Sequence, residues 1–186
     1  PEHLSLTIHE SCGHPSELDR ALGYEANYAG TSFLTTDKLG TFRYGSSHVN
    51  LVADNTEPET LAATGYDDDG VACQKWNIVR EGLFVGYCTN REVAPKIGEA
   101  RSRGSNRADS WGAVPIVRIA NIGLEPGRAT VDQLIAEGSS LARPVRRALS
   151  DPESYIAATQ LAITMTSLGL GWIGEPALAH LVAGAF

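Results

Sequence analysis

From Thr31 to Ile122 the hydrophobic positions fall in short runs rich in β-branched and aromatic residues, separated by Gly, Asp and Asn. Such runs predict strands at Thr31–Thr35, Thr41–Tyr44, Val49–Ala53, Ala72–Val79 and Leu83–Cys88. Arg80-Glu81-Gly82 is short enough to join the last two as a hairpin. Trp76 and Ile78 then face one way on the first strand, while Leu83, Val85 and Tyr87 alternate on the second. So short a connection requires antiparallel pairing. Ahead of the strands lies a helix carrying His9 to His14, followed by a short helix opening at Pro15 and closing near Gly23. Behind them, Thr130-Val131-Asp132-Gln133 has the capping-box pattern before a short helix ending at Gly138. Ser150-Asp151-Pro152-Glu153 has it again before a long apolar helix, which Gly169-Leu170-Gly171 is expected to break and Pro176 to restart toward Ala183. The pattern is α+β: an N-terminal motif helix, a mostly antiparallel β body and a helical C-terminal tail. A composition shift near Ser139 divides residues 1–138 from 139–186.

At 186 residues and 42% hydrophobic, the chain is long enough for one domain with a sizeable core, or for one domain plus a helical appendage. Its net charge of -7 and the lack of any basic run argue against nucleic acid as a partner, because phosphate binding draws on clustered Lys and Arg. Arg143, Arg146 and Arg147 read as solvated surface near a helix start. Cys12, Cys73 and Cys88 have neither metal-ligand spacing nor a disulfide framework, and no signal peptide opens the sequence. A reducing compartment fits. The 19 residues from Tyr155 to Ile173 carry no charge, nominally enough to span a bilayer. Thr159, Gln160, Thr164, Thr166 and Ser167 dilute that hydrophobicity, so a buried or oligomer-facing helix is expected, with no membrane partner.

The candidate chemistry lies in His9-Glu10-Ser11-Cys12-Gly13-His14. Two imidazoles flanking a carboxylate can hold a zinc ion and activate its water, His9 and His14 as ligands and Glu10 as general base. In the usual zinc-peptidase motif the histidines are four apart and share a helix face. Here they are five apart, a rotation of about 140° instead of about 40° on a regular α-helix. A π-bulge would bring them back to one side. Gly13, which tolerates unusual dihedrals, and Pro15, which cannot donate to the Ser11 carbonyl, are the expected causes. Proline also disfavours α geometry at His14, placing it just past the helix end. Cys12 reads as a small packed side chain, and Asp67-Asp68-Asp69-Gly70 as a turn, since it lacks the alternating ligands of a calcium loop.

Further segments follow the hexapeptide: Asp67-Asp68-Asp69-Gly70-Val71-Ala72, Ile78 to Tyr87, Gly104-Ser105-Asn106-Arg107, and Pro115 to Gly127. In order and approximate spacing the whole, from the N-terminus to about Gly138, resembles the metal-bearing, TldD-like branch of the TldD/PmbA family. The resemblance implies a zinc-dependent peptidase acting on unfolded peptides or small proteins in the cytoplasm. It also implies a homodimer, or a heterodimer with a related, metal-free subunit. It places Asn106 and Arg107 near the active cleft as candidates for substrate contact.

TldD-like proteins carry an additional N-terminal α/β domain and take their third zinc ligand from a cysteine in a glycine-rich segment near the C-terminus. Neither is found here: no cysteine follows Cys88, and residues 139–186 do not resemble the family's closing segment. The chain therefore reads as a piece of a larger protein. Glu17, Asp19 or Glu25 could supply a third ligand, as carboxylates also bind zinc. The alternative function is a catalytically silent scaffold or peptide-binding subunit.

Overall fold

The computed structural model describes residues 7–183, the side chains of 170, 171 and 173–183 excepted. Residues 1–126 and 127–186 form two compact units. The first opens with a π-helical segment, His9–Gly13, and a 3-10 turn, His14–Ser16, then helix α1 at Leu18–Ala21. Strands follow at β1 (Leu51–Asp54), β2 (Lys75–Arg80), β3 (Leu83–Phe84), β4 (Asn106–Arg107), β5 (Ile116–Val117) and β6 (Ile122–Leu124). Four of them form an antiparallel sheet in the order β3-β2-β1-β6, and β4 pairs antiparallel with β5 apart from it. The expected α+β architecture is present.

The β2–β3 hairpin turns where the sequence places it, and its backbone explains the residues used. Glu81 and Gly82 both have positive φ, 49° and 77°, the left-handed pair that a two-residue hairpin turn requires. Gly82 also approaches a neighbouring loop: a Cβ there would lie 2.3 Å from the Ser46 carbonyl oxygen. Gly82→Ala is therefore expected to destabilise the fold by more than about 2 kcal/mol, read as a lowered urea midpoint.

Other strand expectations are corrected. Thr31–Thr35 forms no strand, and Thr41–Tyr44 contributes only a single bridge, Arg43 to Leu83. These residues instead pack beside the sheet: Leu34 is fully buried, and Phe42 and Tyr44 lie against the core. Leu83–Cys88 pairs over two residues and then leaves the sheet, because Cys88 exchanges backbone bonds with the segment after His14 (Cys88 N–H to Ser16, 2.8 Å; Leu18 N–H to Cys88, 3.1 Å). Its burial follows that path and not simple alternation. Phe84 and Tyr87 are the fully buried pair, edge to face at 4.8 Å, while Leu83 and Val85 are half-buried. Trp76 and Ile78 are both buried, as expected.

The second unit is helical: α2 (Val131–Ala136), α3 (Ala142–Ser150) and α4 (Pro152–Ala183). The Thr130–Gln133 capping box is complete, and Gly138 follows with φ +84°. The second expected box is not used. Ser150 ends α3 by donating to the Arg147 carbonyl, and the Asp151 carboxylate accepts from Ser154 N–H instead. α4 runs through both Gly169-Leu170-Gly171 and Pro176 without a break. Each glycine costs about 1 kcal/mol and the proline about 3 kcal/mol against alanine, penalties a long helix absorbs because each turn on either side propagates from the last.

Candidate metal centre

The five-residue histidine spacing is accommodated as the sequence predicts. His14 N–H donates to the His9 carbonyl, five residues back, closing a π turn. The two imidazoles then stand edge to face, their centroids 4.8 Å apart. One ligand-capable atom each from His9, Glu10 and His14 lies within 4.8 Å of the others. Among the described residues this is the group of His, Cys, Asp and Glu side chains that could hold a metal ion. Glu10 is exposed, and its Oε1 is 3.9 Å from His9 Nε2.

The causes of the turn differ in part from those expected. Gly13 has helical dihedrals, φ -58° and ψ -69°, so its role is not an unusual backbone angle. A Cβ on it would sit 3.2 Å from Ile119 Cδ1, so its lack of a side chain is what lets the π segment approach the chain at Ile119. His14 likewise keeps α-type angles, φ -58° and ψ -43°, despite preceding Pro15, because the proline sits early in a 3-10 turn that continues the same path. The Ser11 carbonyl, which Pro15 cannot serve, accepts instead from the Tyr44 hydroxyl at 2.8 Å. Cys12 is fully buried against the core, and burial pushes its thiol up to about 12, making it a packing group and a poor ligand.

Electrostatics favour the neutral imidazoles that metal binding needs. Burial lowers the pKa of His9, with His14 adding to the shift. Burial also lowers that of His14, with the Arg20 charge next in size. Behind His14 lies a buried network of carboxylates and arginines. Glu17 is fully buried, its Oε2 2.8 Å from Arg20 Nη2, and burial raises it to about 7 against the pull of Arg20. Asp19, raised by burial to about 6, accepts from the Val117 N–H at 3.0 Å. Glu25 Oε1 accepts from Arg118 at 2.7 Å. These three carboxylates, weighed from sequence as third ligands, are engaged by arginine and backbone partners, with Glu17 Oε1 also 3.2 Å from His14 Nδ1, and none belongs to the His9–Glu10–His14 group.

A cleft of about 520 Å³ opens beside the motif, lined by His9, Ala62, Arg107, Ile119 and Asn121 among others. Arg107 is exposed and borders it together with His9. Asn106 is buried: its Oδ1 accepts from Asn90 Nδ2 at 3.1 Å and its N–H donates to Asp67 at 3.1 Å. Arg107 and His9 thus line the same cleft, while the Asn106 side chain is turned inward. Asp67 also accepts from the N–H groups of Asp69 and Val71, as expected of a turn.

Residues 1–141 match the model of the PmbA/TldA metallopeptidase C-terminal domain. A metalloprotease of Methanocaldococcus jannaschii is 33% identical over 137 residues, 74% of this chain and 28% of that protein. A protein of Saccharolobus solfataricus named zinc metalloprotease TldD homolog is 27% identical over 165 residues, 86% of this chain and 34% of its own length. The chain thus spans about a third or less of these relatives. The crystal structure of a proposed DNA gyrase modulator from Thermotoga maritima shares the fold, with a TM-score of 0.51 and 24% identity over 71% of this chain and 27% of that one. The tail gives a different match. Residues 120–186 fit the model of the cyclin M transmembrane N-terminal domain, and the Bacillus subtilis protein YhdT is 48% identical over 59 residues, 32% of this chain and 13% of that protein.

Proposed function

From the premise that this chain belongs to the PmbA/TldA metallopeptidase C-terminal domain family, we propose that it carries the metal-binding part of a zinc-dependent peptidase. The observation behind this reading is the π turn that sets His9, Glu10 and His14 within ligand distance of one another. The donor set suits zinc, since imidazole nitrogen is among its preferred ligands and both rings are held toward their neutral form. His9 and His14 hold the ion. When bound, zinc acts as a Lewis acid and lowers the pKa of bound water toward about 7. Glu10 stands exposed beside His9, free to take a proton from a nucleophilic water and return it to the leaving amine. Arg107, on the rim of the cleft, meets substrate polar groups, while buried Asn106 supports the loop that presents it.

The substrate class proposed is an unfolded peptide or small protein, and the setting is a cytoplasmic dimer, either of identical subunits or with a related one. The cysteines are free, in keeping with a reducing compartment. Elemental mass spectrometry of the purified chain is the direct test, with near one zinc per chain expected. A chain that binds no zinc falls to the alternative of a silent, peptide-binding subunit. That alternative draws on the donor group itself, which among the described residues offers two histidines, one glutamate and no cysteine.

The tail has its own reading. Tyr155, Ile156, Leu161, Ile163, Met165 and Leu168 are exposed on α4, along a run without charge. So many exposed apolar side chains on one helix call for an apolar partner. Among the described residues no helix is long and apolar enough to cross a membrane. The similarity to a transmembrane domain nevertheless favours lipid contact, in place of the oligomer-facing role expected from sequence, with no topology implied. The chain is expected to float with phosphatidylcholine vesicles in a density gradient. A chain that stays in the dense fraction and self-associates restores the oligomer-facing helix.

A further inference from the structure

We propose that Glu17 is a positioning residue for the metal centre: its carboxylate fixes the His14 ring by holding Nδ1. This rests on the zinc reading of the histidine pair. Glu17 Oε1 lies 3.2 Å from His14 Nδ1, three residues away, and the Glu17 side chain is fully buried. The backbone makes this reach possible. Glu17 closes the 3-10 turn that begins at His14, its N–H donating to the His14 carbonyl at 3.1 Å, and residues three apart on such a turn lie on one face.

The rest of the carboxylate is already engaged. Ile119 N–H donates to Oε1 at 3.1 Å, and Arg20 Nε donates to Oε2 at 3.0 Å. Arg20 is itself tied to Glu25 at 3.5 Å and to the Ala29 carbonyl at 3.3 Å. Its Nη2 also comes within 3.5 Å of His14 Nδ1, a longer contact than that of Glu17. A carboxylate accepts and does not donate, so it selects the His14 tautomer with the proton on Nδ1. Nε2 is then left with a free lone pair for a ligand. Histidines that bind metals commonly donate their other N–H to a carboxylate, and removing such a partner typically costs 10–100-fold in metal affinity.

The test uses the wild-type chain, Glu17→Gln and Glu25→Gln. Glutamate 25 belongs to the same arginine network but does not touch His14. Long-range proton–nitrogen NMR on the metal-free chain at alkaline pH reads the tautomer directly. The Nδ1–H form is expected in wild type and in Glu25→Gln, with that preference reduced in Glu17→Gln, whose neutral amide can donate to Nδ1 as well as accept from it. Zinc competition against a chelator should then show Glu17→Gln weakened about 10–100-fold and Glu25→Gln near wild type. Circular dichroism confirms that both variants fold. A wild-type Nε2–H tautomer overturns the proposal, as does equal weakening by the two variants, which would make the network merely structural. Unchanged affinity in Glu17→Gln overturns it too, while zinc bound by wild type and lost in His9→Ala keeps the metal reading standing. Failure of wild type to bind zinc removes that reading, and the role assigned here goes with it.

Discussion

His9→Ala and His14→Ala are each expected to lose zinc, with affinity falling more than about a hundredfold, while the wild-type chain is expected to retain near one ion. The π turn is the reason both losses should be large. It sets His9 and His14 against each other in a centroid contact of 4.8 Å, and the described residues near them offer no other imidazole to take over. Neither variant should unfold the chain, because both side chains are only partly buried and the hydrophobic core lies on Cys12, Leu18 and their neighbours. Circular dichroism alongside elemental mass spectrometry separates loss of metal from loss of fold. The same measurement has a pH arm. Burial lowers both imidazole pKa values below the ordinary 6.5, so the rings stay neutral as pH falls through that value. Protons on the imidazoles should displace zinc only below it, whereas Glu17, raised to about 7, loosens its hold on His14 nearer neutrality. Release from Glu17→Gln, which lacks that carboxylate, beginning well above pH 6.5 would contradict the lowered values, and equal zinc in wild type and His14→Ala would remove His14 from the site.

Local signals carried furthest. The five-residue spacing of His9 and His14 admits few backbone solutions that put both on one side, and the π turn is one of them. The hairpin at Glu81-Gly82 and the capping box at Thr130 were equally legible, because each is closed by residues within a few positions of one another. Apart from the unused capping box at Ser150 and the unbroken α4, the larger failures involve distant partners. Thr31–Thr35 has strand-like composition, yet no neighbouring strand offers it a ladder, and it is used for packing through Leu34. The network behind the histidines was harder still. Glu17 meets the Ile119 N–H across 102 positions, Asp19 meets Val117 across 98, and Glu25 meets Arg118 across 93. No periodicity announces such pairs. The His14–Glu17 contact was readable in principle, since residues three apart meet on a helical turn. With the arginine partners out of view, the carboxylate looked equally suited to binding metal.

Glu10→Gln is the substitution that separates metal binding from chemistry. Gln keeps the size of the side chain and removes the base, so the variant should hold zinc as wild type does and lose hydrolysis by about 10²–10⁴-fold, the usual worth of general base catalysis. Two features of the site make retention of metal reasonable. Glu10 is exposed, and its Oε1 comes only to 3.9 Å from His9 Nε2. The two histidines, in contrast, are fixed by the backbone bond between them and, at His14, by Glu17. The readout is cleavage of an unstructured peptide by the zinc-loaded chain, followed by mass spectrometry, with zinc content measured on the same samples. Equal cleavage by wild type and Glu10→Gln would exclude Glu10 as the base. If the variant lost zinc together with activity, Glu10 would be a third ligand, which its place within 4.8 Å of both imidazole donors allows. Zinc bound by both forms with no cleavage by either would favour the silent, peptide-binding subunit, because the ion would then be present without the groups needed to use it.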